Sequence, residues 1–109
     1  MPLSNKVEQF LGLATKAGKL ITGEDLVVKA VTSKQVYLVI LAADASKNTR
    51  KKLQDKCRSY SIPLRFYADR YRLGHYIGKE QRVVIGVKEN GFARELMKHI
   101  DNEEGVTHE

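Results

Sequence analysis

The chain reads as an α/β domain whose helices cover both faces of a small sheet, and three observations predict it. Strand-length apolar runs stand at residues 20–21, 36–43, 62–66 and 83–87. Between and around them lie segments with apolar residues at i, i+3, i+4 and i+7, the spacing of one face of a helix. The 109 residues are one domain's length, and 42% hydrophobic content suffices for a core and excludes a disordered chain.

Ser4 is placed to cap a first helix carrying Val7, Phe10, Leu11 and Ala14 on one stripe, with Gly18 as its stop. Leu20 and Ile21 make a minimal strand. Thr22 then caps a second helix, with Asp25 standing three residues on in the manner of a capping box. In that helix Leu26, Val27, Ala30 and Val31 are expected to face the sheet. Residues 36–43 (VYLVILAA) are apolar without alternation, as in a central strand covered on both sides. Ser46 caps a third helix running through Leu53 and Cys57 to about Tyr60. Pro63 near the start of the next strand marks an edge. Residues 70–77 form a short helix ending at Gly78, and residues 83–87 are the fourth strand. Asn90 caps a last helix with Phe92, Ala93, Leu96, Met97 and Ile100 on one stripe, so residues 1–100 read as a single domain. Residues 101–109 are polar and acidic, expected to be a flexible tail.

The charge is uneven. All 19 Lys and Arg precede residue 101, whereas Asp101, Glu103, Glu104 and Glu109 put four of the 13 acids in the tail, leaving a body at +10 and a formal net charge of +6. Such a body steers anionic partners toward it. The single cysteine, Cys57, excludes an intrachain disulfide, and its helical spacing from Leu53 and Tyr60 predicts a buried, inert thiol. Neither a signal-peptide pattern nor an apolar run of about 20 residues is present, so a cytoplasmic, membrane-free protein is expected.

Ligands of open α/β sheets sit beyond the carboxyl ends of the strands, which directs attention to residues 42–49. Asp44 has no second carboxylate, His or Cys near it in sequence, and its expected task with Ser46 is to end the strand and start the helix. Lys47, Arg50, Lys51 and Lys52 cluster at a helix start, where cations oppose the dipole. Residues 67–76 interleave cations with aromatics, a composition suited to phosphates and unstacked bases. The glycines match no nucleotide-binding loop, no metal-site spacing occurs, and no cofactor is expected.

Four segments in order, AGKL at 17–20, Gly23 followed six residues on by Lys29, LVILAADAS at 38–46 and LGHYIG at 73–78, resemble the kink-turn RNA-binding ribosomal protein family. That superfamily is typified by the archaeal large-subunit proteins L-seven-Ae and L-thirty-e, and its small bacterial paralogues are the nearest likeness. The resemblance spans about residues 4–100 and implies a three-layer α/β/α sandwich around a mixed four-stranded sheet. It also implies a surface built from the start of the second helix and two nearby loops, which grips a sharply bent RNA helix with sheared G·A pairs. The implied RNA-binding residues are Lys19, Gly23, Glu24, Asp25, Lys29, Asp44, Ser46, Lys47, Ile77, Lys79, Gln81 and Arg82. Two departures stand out: Leu26 occupies the position of a family carboxylate, and residues 79–82 replace an apolar wedge with charge.

The expected function is therefore a non-enzymatic, monomeric, ribosome-associated protein whose partners are structured RNA and ribosomal proteins. The alternative is a protein-interaction module that keeps the fold without kink-turn binding, with a small enzyme using Asp44 behind it.

Overall fold

A computed structural model describes residues 5–107. Within them the order is α1 (Lys6–Lys16), β1 (Leu20–Thr22), α2 (Glu24–Thr32), β2 (Leu38–Leu41), α3 (Lys47–Tyr60), β3 (Leu64–Phe66), α4 (Arg70–Tyr76), β4 (Val84–Val87) and α5 (Asn90–Thr107). The strands form one sheet in the order β1-β4-β2-β3, with β2 parallel to β3 and β4 antiparallel to both β1 and β2. Because β2 and β4 lie inside the sheet, each of their residues is buried. Their side chains alternate between two cores. Leu38, Ile40, Ile85 and Val87 pack with α1, α4 and α5, whereas Val39, Leu41 and Val84 pack with α2 and α3. The result is the expected three-layer α/β/α sandwich on a mixed four-stranded sheet.

Several helix starts differ from the sequence reading. Ser4 lies outside the described residues, and the side chain that caps α1 is Asn5, whose Oδ1 accepts from the Glu8 amide at 2.7 Å. Thr22 is not a cap: it still pairs with Ile85, and the Gly23 amide donates to the Val84 carbonyl at 3.1 Å. The strand thus runs one residue further and the cap falls on Gly23, which has no side chain to offer. Leu26 does not face the sheet but is 55% exposed, while Val27, Ala30 and Val31 are buried as expected. At α5 it is Glu89 whose Oε1 accepts from the Phe92 amide at 2.7 Å, so Asn90 is already helical. Ser46 does cap α3, accepting from the Thr49 amide at 3.1 Å.

The tail is a further correction. α5 does not stop at Ile100 but continues to Thr107, and two acids of the tail engage the neighbouring edge of the sheet. Asp101 takes a bidentate pair from Arg65 at 2.7 and 3.1 Å, and Glu103 accepts from the Tyr67 hydroxyl at 2.8 Å. Cys57 is buried, and desolvation pushes its thiol up to about 11.

Candidate nucleic-acid interface

The strand register decides which loops meet. Thr22 pairs with Ile85 and Leu41 with Val84, so the carboxyl ends of β1, β2 and β3 emerge beside the amino end of β4. The starts of α2, α3 and α4 and the 78–83 loop therefore share one end of the sheet. Between them lies a cleft of about 200 Å³ lined by Gly23, Glu24, Ser46, Thr49, Arg70 and Val83.

Gly23 holds φ +99°, a conformation that disfavours any L side chain, and the space a Cβ would fill is open. Without a side-chain cap, the first-turn amides of α2 face outward at the positive end of the helix dipole. Lacking Cβ bulk and carrying unused N–H donors, this corner can receive a phosphate or the edge of a base.

Charged side chains knit the rim together. Glu24 accepts from Thr49 Oγ1 at 2.7 Å through one carboxylate oxygen and from Lys52 Nζ at 2.7 Å through the other. Ser46 donates to the same Thr49 hydroxyl at 3.0 Å, so one chain of bonds joins the α2 and α3 starts. The hydrogen bond from Lys52, then that from Thr49, holds the Glu24 carboxyl below its ordinary range; the same contact raises Lys52. Asp44 is occupied as well. Its Oδ1 accepts from the Arg70 amide at 3.1 Å and its Oδ2 from Arg70 Nε at 3.0 Å, while Arg70 Nη2 donates to the Asp44 carbonyl at 2.8 Å. Water loss at Asp44 works upward, yet the Arg70 bonds outweigh it and keep the carboxyl below its usual range. A carboxylate so committed anchors α4 to the β2–α3 loop.

The third wall owes its position to Gly74. A Cβ there would stand 2.5 Å from Gln81 Cα and 2.6 Å from its nitrogen, so glycine alone lets the 79–82 segment lie across α4. The Lys79 amide donates to the Gly74 carbonyl at 2.8 Å and the Arg82 amide to the Arg70 carbonyl at 2.9 Å. Arg82 Nε then reaches Thr22 Oγ1 at 3.2 Å, tying this loop to the end of β1.

The implied RNA-binding residues do not all meet here. Gly23, Glu24, Asp25, Asp44, Ser46, Lys47, Lys79, Gln81 and Arg82 lie on the three loops or helix starts of this end. Lys29 stands on the outer face of α2 beside Leu26, three residues apart, lining a groove next to Ile21. Lys19 lies apart from this end: its carbonyl accepts from the Lys88 amide at 2.8 Å, at the opposite end of β1. Four residues of extended chain put it about 13 Å from Gly23. Ile77 is 5% exposed and belongs to the α1/α4/α5 core beneath the loop. Sequence reasoning read Thr49 only as part of the 42–49 loop, Arg70 only within the 67–76 cation–aromatic stretch and Lys52 only as part of a cluster, and it paired none of them with a carboxylate. Lys52 and Thr49 sit one turn into α3 and Arg70 opens α4, a placement that only the closing of the sheet makes adjacent to Glu24 and Asp44.

Comparisons with known proteins agree with this architecture. Residues 5–97 match the model of the ribosomal protein L7Ae/L30e/S12e/Gadd45 family. The chain is 47% identical over 92 residues to the RNA-binding protein YlxQ of Bacillus subtilis, covering 84% of this chain and 92% of that protein. It is 38% identical over 96 residues to the Enterococcus faecium RNA-binding protein YlxQ, covering 88% and 92%. A solved Bacillus halodurans protein of unknown function superposes with a TM-score of 0.88 at 54% identity, covering 90% of this chain and 99% of that one. The Giardia lamblia 15.5kD RNA binding protein superposes at 0.73 with 17% identity, covering 97% and 95%, and shares the fold.

Proposed function

The chain belongs to the ribosomal protein L7Ae/L30e/S12e/Gadd45 family, and from that premise we propose that it is a cytoplasmic, monomeric, non-enzymatic RNA-binding protein that grips a structured RNA of kink-turn type within ribosomal RNA. The observation that carries this reading is the uncapped start of α2 at Gly23, open above the backbone and walled by two loops with cationic rims. Backbone amides of the first turn meet a phosphate or a base edge, and Asp25, exposed and adjacent, accepts from a guanine. Lys29, Lys47 and Lys79, all exposed, neutralise phosphates around that point. Glu24, committed to Thr49 and Lys52, positions the helix start. Leu26, exposed beside it, offers an apolar surface to an unstacked base in place of a second carboxylate.

The test is binding to a kink-turn RNA and to a matched duplex whose sheared G·A pairs are converted to Watson–Crick pairs, at two salt concentrations. A preference of tenfold or more, about 1.4 kcal/mol, is expected for the kink-turn. Equal, salt-sensitive binding to both overturns kink-turn specificity and leaves a general RNA binder. Absence of binding to either overturns the RNA reading in favour of the protein-interaction module. Co-sedimentation with ribosomal particles at low salt reports on the ribosomal partner.

A further inference from the structure

The two edges of the sheet are treated differently. At β3 the outward side is closed: Arg65 sits mid-strand, its Nη1 donates to the Leu64 carbonyl at 3.1 Å, and Asp101 and Glu103 of α5 hold Arg65 and Tyr67. A charged strand residue and a covering helix are the usual ways of blocking an edge against further pairing. β1 has neither. Its residues Leu20, Ile21 and Thr22 are uncharged. The Lys88 amide donates to Lys19 and the Gly23 amide to Val84, so the antiparallel alternation turns the Ile21 bonding groups toward β4 and those of Leu20 and Thr22 outward. No turn, loop or cap bond among the described residues takes up those outward groups.

A groove flanks this edge on each face of the sheet. One, about 160 Å³, is bordered by Leu20, Thr22, Ile77 and Lys79; the other, about 420 Å³, by Ile21, Leu26 and Lys29. Each combines an apolar floor with one lysine. We propose that β1 is a docking edge for an extended, acidic segment of another protein, which adds a fifth strand to the sheet and seats its side chains alternately in the two grooves.

The pattern of backbone groups selects a polypeptide. Leu20 and Thr22 each present one donor and one acceptor, about 7 Å apart along the strand. A phosphate backbone has acceptors only and leaves the two outward carbonyls facing anions. Charge selects the sequence of the guest and excludes a second copy of this chain. Pairing β1 with β1 would bring Lys29 and Lys79 of one copy against their counterparts, whereas adjacent acids on a strand point to opposite faces and meet one lysine each.

Three acetylated and amidated synthetic hexapeptides test this: Val-Asp-Glu-Val-Asp-Glu, the same peptide with lysine at every acid, and the acidic peptide N-methylated at alternate residues. Binding is followed by NMR on the intact chain, reading chemical shift and hydrogen exchange at each amide. The acidic peptide is expected to shift the Leu20 and Thr22 amides and slow their exchange at least tenfold. The lysine peptide is expected to leave them unchanged, and N-methylation to weaken binding at least tenfold. Shifts centred on Glu24, Asp25 and Lys47, with Leu20 and Thr22 unaffected, would place the acids on the RNA surface and overturn the proposal. Failure of every peptide to bind overturns it too. Slow exchange at Leu20 and Thr22 without peptide, together with a dimer in sedimentation, would assign the edge to a second copy.

Discussion

Gly74 illustrates how much one residue can fix. It sits inside a seven-residue helix, where glycine costs about 1 kcal/mol relative to alanine, yet alanine there meets the backbone of Gln81 at 2.5 Å. Backbone cannot swing aside as a side-chain end can, so the 79–82 loop must lift from α4. Gly74→Ala is expected to destabilise by about 1–3 kcal/mol and to weaken RNA binding, while Gly12→Ala, inside α1 with only the Tyr76 carbonyl at 4.0 Å, is expected to stabilise by about 0.5–1 kcal/mol and to leave RNA binding unchanged. Thermal unfolding and RNA titration of the two variants check this. Glu24 sets a different signature. Its carboxyl lies below the ordinary value of 4.5 because Lys52 and Thr49 bond to the ionised form. The stabilisation is therefore complete above the unfolded value and is lost as pH falls through the lower folded one. Stability of the wild type and of Glu24→Gln should differ most near neutrality and converge as the pH falls below the unfolded value of 4.5, as read by urea unfolding across pH. Divergence toward acid would show that the Lys52 contact does not hold the carboxylate.

At the scale of elements, all nine were legible in the sequence, because hydrophobic period survives whatever the loops do. Their starts were less so. A cap depends on where the preceding strand lets go, and the bond from Gly23 to Val84, sixty-one residues away, keeps Thr22 in β1. The site followed the same division: Gly23 and the three loops were readable from local residues, whereas the Glu24–Thr49–Lys52 and Asp44–Arg70 links join side chains whose adjacency exists only in the folded sheet. Lys19 and Ile77 lie away from the cleft for the complementary reason, since nearness in sequence to a site glycine does not say at which end of a strand a residue lies, or how deeply. The acidic tail was misjudged because composition alone reads as solvated chain, while Arg65 and Tyr67 supply partners one helix turn beyond Ile100. Truncation after Ile100 removes both contacts. An exposed ion pair contributes about 0–1 kcal/mol and a bond to a charged acceptor about 1.5–3, so Tm is expected to fall by several degrees. A melting temperature unchanged by truncation would mean that α5 beyond Ile100 only rests on β3.

For the molecule as a whole, the formal net charge of +6 matters through its distribution. Acids are drawn into internal partnerships: Glu24 with Lys52, Asp44 with Arg70, Asp55 with Lys51 and Asp101 with Arg65. Among the described residues Lys29, Lys47, Arg50 and Lys79 form no such pair and are exposed; Lys47, Arg50 and Lys79 stand on the first turn of α3 and the 78–83 loop at the end of the sheet that carries the cleft, and Lys29 on the outer face of α2. Cations free of internal partners are the ones that can release counterions from a phosphate backbone. Four phosphate contacts give a slope of about −3 to −4 in log affinity against log salt. Lys47→Ala should lower affinity for every RNA and make that slope shallower by about 1, without changing the ratio between kink-turn and duplex. Asp25→Ala should do the reverse, leaving the slope and erasing the preference, because a carboxylate reading a guanine edge neutralises no phosphate. If both substitutions change slope and preference together, the separation between positioning cations and a reading acid at the start of α2 is wrong, and the RNA is held by charge alone.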